Sequence, residues 1–126
     1  MQIKKIGVIG AGQMGNGIAH VLSLGGYQVI LNDIDKNTLE KASHNIKNNL
    51  ERQVNSKKIS TEESITALES ISYTMSFKEF NDVDLVIEAA TENEPIKQKI
   101  LNSLLPHIQP HTIITSNTSS ISITRL

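Results

Sequence analysis

The sequence predicts an α/β fold: a doubly wound, mostly parallel sheet with a helical protrusion after the second strand. Three observations predict it. Short aliphatic runs alternate with helically spaced stretches along the 126 residues, and parallel strands need crossovers of that length. A glycine cluster, Gly10-Ala11-Gly12-Gln13-Met14-Gly15, separates the first aliphatic run from the first helical stretch. An acidic residue, Asp33, closes the second aliphatic run 18 residues past Gly15.

The elements follow in order. Lys5 to Ile9 is the first strand. A helix begins near Gln13 with Met14, Ile18, Val21 and Leu22 as its apolar stripe, and Gly25-Gly26 ends it. Tyr27 to Leu31 is the second strand, and strand, helix and strand fill the roughly 30 residues of one βαβ unit. Asp35 caps a helix whose apolar positions are Leu39, Ala42, Ile46, Leu50 and Val54. Ser60-Thr61-Glu62-Glu63 is a capping box that opens another helix, with Ile65 and Leu68, so the protrusion is a helical pair. Ile71 to Thr74 is the third strand, and Ser76-Phe77-Lys78-Glu79 starts a brief helix. Asp84 to Ala89 is a strand aliphatic enough to be covered on both faces. Asn93-Glu94-Pro95 opens a helix with Ile96, Ile100, Leu101, Leu104 and Leu105 on one face, and Thr112 to Thr115 is the fifth strand. Ile121 and Ile123 then begin a last apolar spacing, read as a helix cut short.

Length implies one domain, residues 1–126, large enough for a core but short for an enzyme that needs separate cofactor and substrate folds. The formal charge is −1 and the basic residues are dispersed, so neither nucleic acid nor an anionic membrane is implied as a partner. There are no cysteines, hence no disulfide framework or thiolate metal site, and no metal is expected. No apolar run approaches the ~20 residues of a membrane span, and the start carries no signal-peptide core; the cytoplasm is the default expectation.

A strand–glycine turn–helix is where a dinucleotide pyrophosphate binds in a Rossmann-type sheet. The first glycine permits the turn, the second lets backbone approach the phosphates, and the third lets helix and strand pack; the helix N-terminus supplies N–H groups and a positive dipole end. Gly10, Ala11, Gly12, Gln13, Met14 and Gly15 are therefore the candidate phosphate-binding residues. Asp33 stands where a carboxylate accepts hydrogen bonds from an adenine ribose. It would repel a 2′-phosphate, and Ile34 and Asp35 supply no arginine, so NAD is expected over NADP. The competing readings are an ordinary βα turn for the glycines and a helix-capping or solvated carboxylate for Asp33. Ligands in such sheets bind beyond the carboxyl ends of the strands, where Gly10, Asp33, Ala89-Ala90-Thr91 and Ser116 all fall. Glu88, inside an apolar run, is costly to bury without a partner and reads as structural.

The set Gly10 to Ala19, Asp33, Val86-Ile87-Glu88-Ala89-Ala90 with Glu92 and Lys97, and Ser116-Asn117-Thr118-Ser119-Ser120 resembles the N-terminal NAD domain of the 3-hydroxyacyl-CoA dehydrogenases, over essentially the whole chain. The resemblance implies oxidation of 3-hydroxyacyl-CoA to 3-oxoacyl-CoA with NAD. It implies that Glu92 and Lys97 lie on the nicotinamide side, and that Ser119 reaches both nicotinamide and the substrate oxygen. It also implies coenzyme A contacts at Asn49 and Lys57, against the alternative of a solvated lysine pair. Ser119 has its own alternative as a loop-capping serine. The family's catalytic histidine and glutamate, and the helical domain that makes the homo-oligomer, lie beyond this chain, so it is expected to bind NAD without turnover. His20, His44, His107 and His111 match no catalytic motif. Two other readings stay open: the cofactor domain of a β-hydroxyacid dehydrogenase, and a nucleotide-binding module without chemistry.

Overall fold

The computed structural model describes residues 2–91, 93–116 and the backbone of 122–124. Glu92 and Ser119, both singled out from the sequence, lie outside the described residues. The elements are β1 (Lys5–Ile9), α1 (Gln13–Leu24), β2 (Gln28–Asn32), α2 (Lys36–Asn55), α3 (Thr61–Ser70), β3 (Ile71–Thr74), β4 (Leu85–Glu88), α4 (Glu94–Leu104), β5 (Ile113–Ser116) and β6 (Ser122–Thr124). Short 3-10 turns at Phe77–Phe80 and Leu105–His107 complete the order. The sheet runs β3-β2-β1-β4-β5-β6. Its first five strands are parallel, and β6 pairs antiparallel with β5.

Register decides which residues share an edge. Ile9 is level with Asn32 of β2 and Glu88 of β4, Asn32 with Thr74 of β3, and Glu88 with Ser116 of β5. One step further along, Gly10, Asp33 and Ala89 therefore leave the sheet together. Between β1 and β4 the order in which strands are added reverses, the switch point at which open α/β sheets bind ligands.

Period-two alternation sends strand side chains to two cores. Ile6, Val8, Val29 and Leu31 pack with Ala19, Leu39, Ala42, Ile46, Leu50 and Ala67 of α1, α2 and α3. Ile9, Ile30, Val86 and Ile114 face the other side, with Phe80, Val83 and Leu104. Buried Leu39, Ala42, Ile46 and Leu50 seat α2, while the chain from Glu51 to Lys58 is largely exposed. Asp35 caps α2 by accepting from the Asn37 N–H, and the reciprocal Ser60–Glu63 box starts α3.

Four residues read as buried apolar positions are exposed, and one segment changes type. Met14 and Val21 are 45% and 67% exposed; the buried positions of α1 are Gly15, Asn16, Ala19 and Ser23, with Ile18 and Leu22 partly buried beside them. The helix rests on small residues because Gly15 lies against the Gly10 carbonyl, which turns Met14 and Val21 outward. Ile65 and Ile96 are exposed as well, and in α4 the buried residues are Leu104 and, unexpectedly, Lys97. Finally, residues Ser122–Thr124, within the segment read as the start of a helix, form β6, while Ile121 lies outside the described residues.

At the edge opposite the switch point, Asp84 ties β4 to β1. Its Oδ2 accepts from the backbone N–H groups of Lys4 at 2.9 Å and Lys5 at 3.1 Å, and His111 Nε2 lies 3.7 Å from Oδ1. The two amide bonds and the nearby imidazole hold this carboxyl below the usual aspartate range.

Candidate functional site

The glycine turn is shaped by contacts that no side chain could share. Gly10 has φ +99, and a Cβ there would meet the Ala90 Cα at 2.7 Å. At Gly15 a Cβ would strike the Gly10 carbonyl oxygen, whereas around Gly12 there is open space. Turn, access and packing thus divide among the three glycines as the sequence predicts. Gly12 is also the N-cap of α1 and supplies no capping side chain. The other three α-helices are capped by Asp35, Ser60 and Asn93. Among the described residues, α1 is thus the α-helix whose N-cap makes no side-chain hydrogen bond, an arrangement suited to an anion.

Asp33 sits at that turn. The Gly10 N–H donates to the Asn32 carbonyl at 2.7 Å, and the Ala11 N–H donates to Asp33 Oδ2 at 2.9 Å. Asp33 Oδ1 accepts from the Asp35 N–H at 2.9 Å. The carboxylate is held in one orientation by two amides, and each oxygen keeps acceptor capacity for ligand hydroxyls. A cleft of about 470 Å³ opens between Gly10, Gly12, Asp33 and the Ala89-Ala90-Thr91 segment, with Ile34, Phe77, Ile96 and Ile100 as its apolar walls. The exposure of Ile34, 85%, follows from its place on this rim. The residues present fit a dinucleotide: an uncapped helix start for the phosphates, a fixed carboxylate for the sugar and an apolar slot for the base.

Beyond the glycine turn a second groove of about 700 Å³ runs between α1 and α2, from Gly12 and Gln13 to Asn49 and Arg52. Lys41, Asn45 and Asn48 also line it. Of this polar stripe only Asn49 was singled out from the sequence, although Thr38, Lys41, Asn45, Asn49 and Arg52 recur at intervals of three and four. Asn49 is on the groove; Lys57 is not. Lys57 has φ 62, closes the end of α2 with its N–H on the Val54 carbonyl, and lines a separate depression with Ser60 and Glu63. The solvated helix-end reading of Lys57 is the one this position supports.

On the β4–β5 side, Glu88 is 2% and Lys97 6% exposed. Glu88 Oε2 accepts from the N–H groups of Ala90 and Thr91 at 2.6 and 3.0 Å, and Oε1 from Ser116 Oγ at 3.0 Å. Lys97 Nζ donates to Ser116 Oγ at 2.9 Å and lies 3.8 Å from Glu88 Oε1. The structural role read for Glu88 holds, and its partners come from two other elements. No sequence spacing links residues 88, 97 and 116; only the strand register and the α4 approach do.

Residues 5–126 match the family model described as 3-hydroxyacyl-CoA dehydrogenase, NAD binding domain. The chain belongs to this family. Its cofactor is accordingly NAD. It is 53% identical over 125 residues to a 3-hydroxybutyryl-CoA dehydrogenase of Bradyrhizobium diazoefficiens, covering 98% of this chain and 42% of that protein. Among solved structures, the (S)-3-hydroxybutyryl-CoA dehydrogenase of Ralstonia eutropha superposes with a TM-score of 0.90 at 38% identity, over 97% of this chain and 43% of that one. The Escherichia coli K12 3-hydroxybutyryl-CoA dehydrogenase gives 0.92 at 36%, over 98% and 26%. The NAD-binding domain described here thus spans less than half the length of each of these relatives.

Proposed function

We propose that this NAD-binding domain serves an enzyme that oxidises L-3-hydroxyacyl-CoA to 3-oxoacyl-CoA, with a 3-hydroxybutyryl-CoA dehydrogenase as the specific form. The observation that carries the reading is the Asp33 carboxylate bonded to the Ala11 N–H at the glycine turn. That contact puts the ribose acceptor beside the phosphate-binding helix start, as an NAD site requires. When bound, NAD supplies a nicotinamide ring that takes up hydride.

The chain's own residues bind and orient. Gly10, Ala11, Gly12, Gln13, Met14 and Gly15 hold the pyrophosphate, and Asp33 holds the adenine ribose. Glu92 and Lys97 are read on the nicotinamide side. Ser119 orients the substrate's 3-oxygen next to the ring and is the one catalytic residue assigned within this chain. The base that takes the hydroxyl proton is read to lie outside it, as a histidine paired with a glutamate. Coenzyme A is read to lie along α2 with Asn49, where Lys41 and Arg52 on the same groove suit its phosphates. The full enzyme is read as acting on an acyl-CoA in the cytoplasm, as a homo-oligomer built by a further helical domain. Among the described residues no helix is long and apolar enough to cross a membrane.

Calorimetric titration tests the cofactor half: NADH binds clearly more tightly than NADPH, and equal affinities overturn the Asp33 assignment. A spectrophotometric assay with acetoacetyl-CoA tests the other half. The 126-residue chain gives negligible NADH oxidation, and substantial turnover would contradict the division of labour proposed here.

A further inference from the structure

We propose that Glu88 is a positioning residue for the cofactor: through Ser116 it holds the Lys97 ammonium at the nicotinamide half of the crevice. This rests on the reading of Lys97 given above. Glu88 is buried in the sheet, level with Ile9 and Ser116, and its influence passes through the groups it binds. A carboxylate in such a place is strongly unfavourable unless paired, so its presence calls for a charge that needs it.

Lys97 is that charge. It lies in the first turns of α4, where its N–H bonds to the carbonyl of the N-cap Asn93. A cation gains nothing from a helix N-terminus, whose dipole end is positive, and a lysine stem ordinarily carries its ammonium out to water. Here the ammonium is turned inward instead. The donor order is fixed by chemistry: Lys97 Nζ has no acceptor, so it donates to Ser116 Oγ, whose single proton goes on to Glu88 Oε1. Glu88 is in turn immobilised by the Ala90 and Thr91 amides on Oε2, which aims Oε1 at β5. Three elements, β4 with the segment just after it, β5 and α4, therefore meet at one carboxylate, and the position of the lysine charge is set by the sheet.

Glutamine at 88 retains the shape and the amide contacts but removes the countercharge. Binding of NADH and of ADP, which carries only the adenosine diphosphate half, separates positioning from general damage. For the folded chain, Glu88→Gln weakens NADH binding about tenfold, leaves ADP binding unchanged, and moves the fluorescence emission of bound NADH toward that of free NADH. Lys97→Met does the same, and the double variant is no weaker than Lys97→Met alone. If Glu88→Gln binds NADH as the wild type does while Lys97→Met is weakened, the proposal fails and the cofactor reading stands. Loss of ADP along with NADH in a folded variant, or an unaffected Lys97→Met, also overturns it. A wild-type chain that binds neither nucleotide removes the cofactor reading and this proposal together. Should Glu88→Gln fail to fold by circular dichroism, Ser116→Ala carries the test by the same criteria.

Discussion

Glycines at positions 12 and 15 look alike in the sequence but answer to different neighbours, which makes them separable by mutation. Gly15→Ala drives a Cβ into the Gly10 backbone carbonyl, an overpacking expected to cost about 3 kcal/mol or more, since backbone cannot give way as a side chain can, and read as a lower midpoint in urea. Gly12→Ala meets open space at φ −67 and keeps the fold within about 1 kcal/mol, yet its methyl stands where phosphates approach. Its expected signature is weaker NADH binding at nearly unchanged stability. Asp33→Ala removes the acceptor of the Ala11 N–H as well as the ribose contact, so it loses NADH affinity and narrows the preference over NADPH, measured by the same titration.

At the scale of elements, the caps and the Asp84 tie hold the ends of helices and strands. Ser60→Ala breaks a reciprocal pair of bonds, Glu63 N–H to Ser60 Oγ at 3.0 Å and Ser60 N–H to Glu63 Oε1 at 2.9 Å. The expected loss is about 0.5–2 kcal/mol in equilibrium denaturation. Asp84 has its carboxyl pKa lowered by the Lys4 and Lys5 amides, then by His111. The unfolded chain therefore takes up its proton first as the pH falls. Its stabilising effect is complete above the unfolded value of roughly 4 and disappears as pH drops through the lower folded value. Wild-type stability should decline on acidification below about pH 4, and Asp84→Asn should be less stable at neutral pH with a shallower acid limb, as followed by thermal melts against pH.

For the whole molecule, the sheet separates what is built for stability from what is built for binding. Leu50 lies in the core shared by α1, α2 and α3 with no exposed surface, and Leu50→Ala is expected to cost about 2–5 kcal/mol. Because Asn49 and Arg52 on the adjoining groove are carried by the same helix, loosening α2 should weaken the coenzyme A contacts proposed along it before it affects NADH binding. The strand ends near Asp84 carry the tie; the opposite ends carry the glycine turn, Asp33 and the Glu88 cluster. That polarity follows from parallel strands, which put all their carboxyl ends on one edge.

What was legible without coordinates was whatever depends on neighbours along the chain. The five parallel strands, the caps at Asp35, Ser60 and Asn93, and the separate roles of three glycines follow from local periodicity and hydrogen-bond chemistry, which spacing records directly. The contact of Asp33 with the turn was legible too, because one βαβ unit has little freedom in where its second strand ends. What tertiary structure alone decided involves long separations or the rotation of a helix about its axis. Met14 and Val21 face outward because Gly15 needed the strand. Lys57 ends a helix while Arg52, one turn earlier, faces the groove. Glu88, Lys97 and Ser116 meet because register aligns β4 with β5 and α4 crosses above them. Periodicity tells that a helix has a buried side; packing chooses which side, and with it the partner of every buried charge.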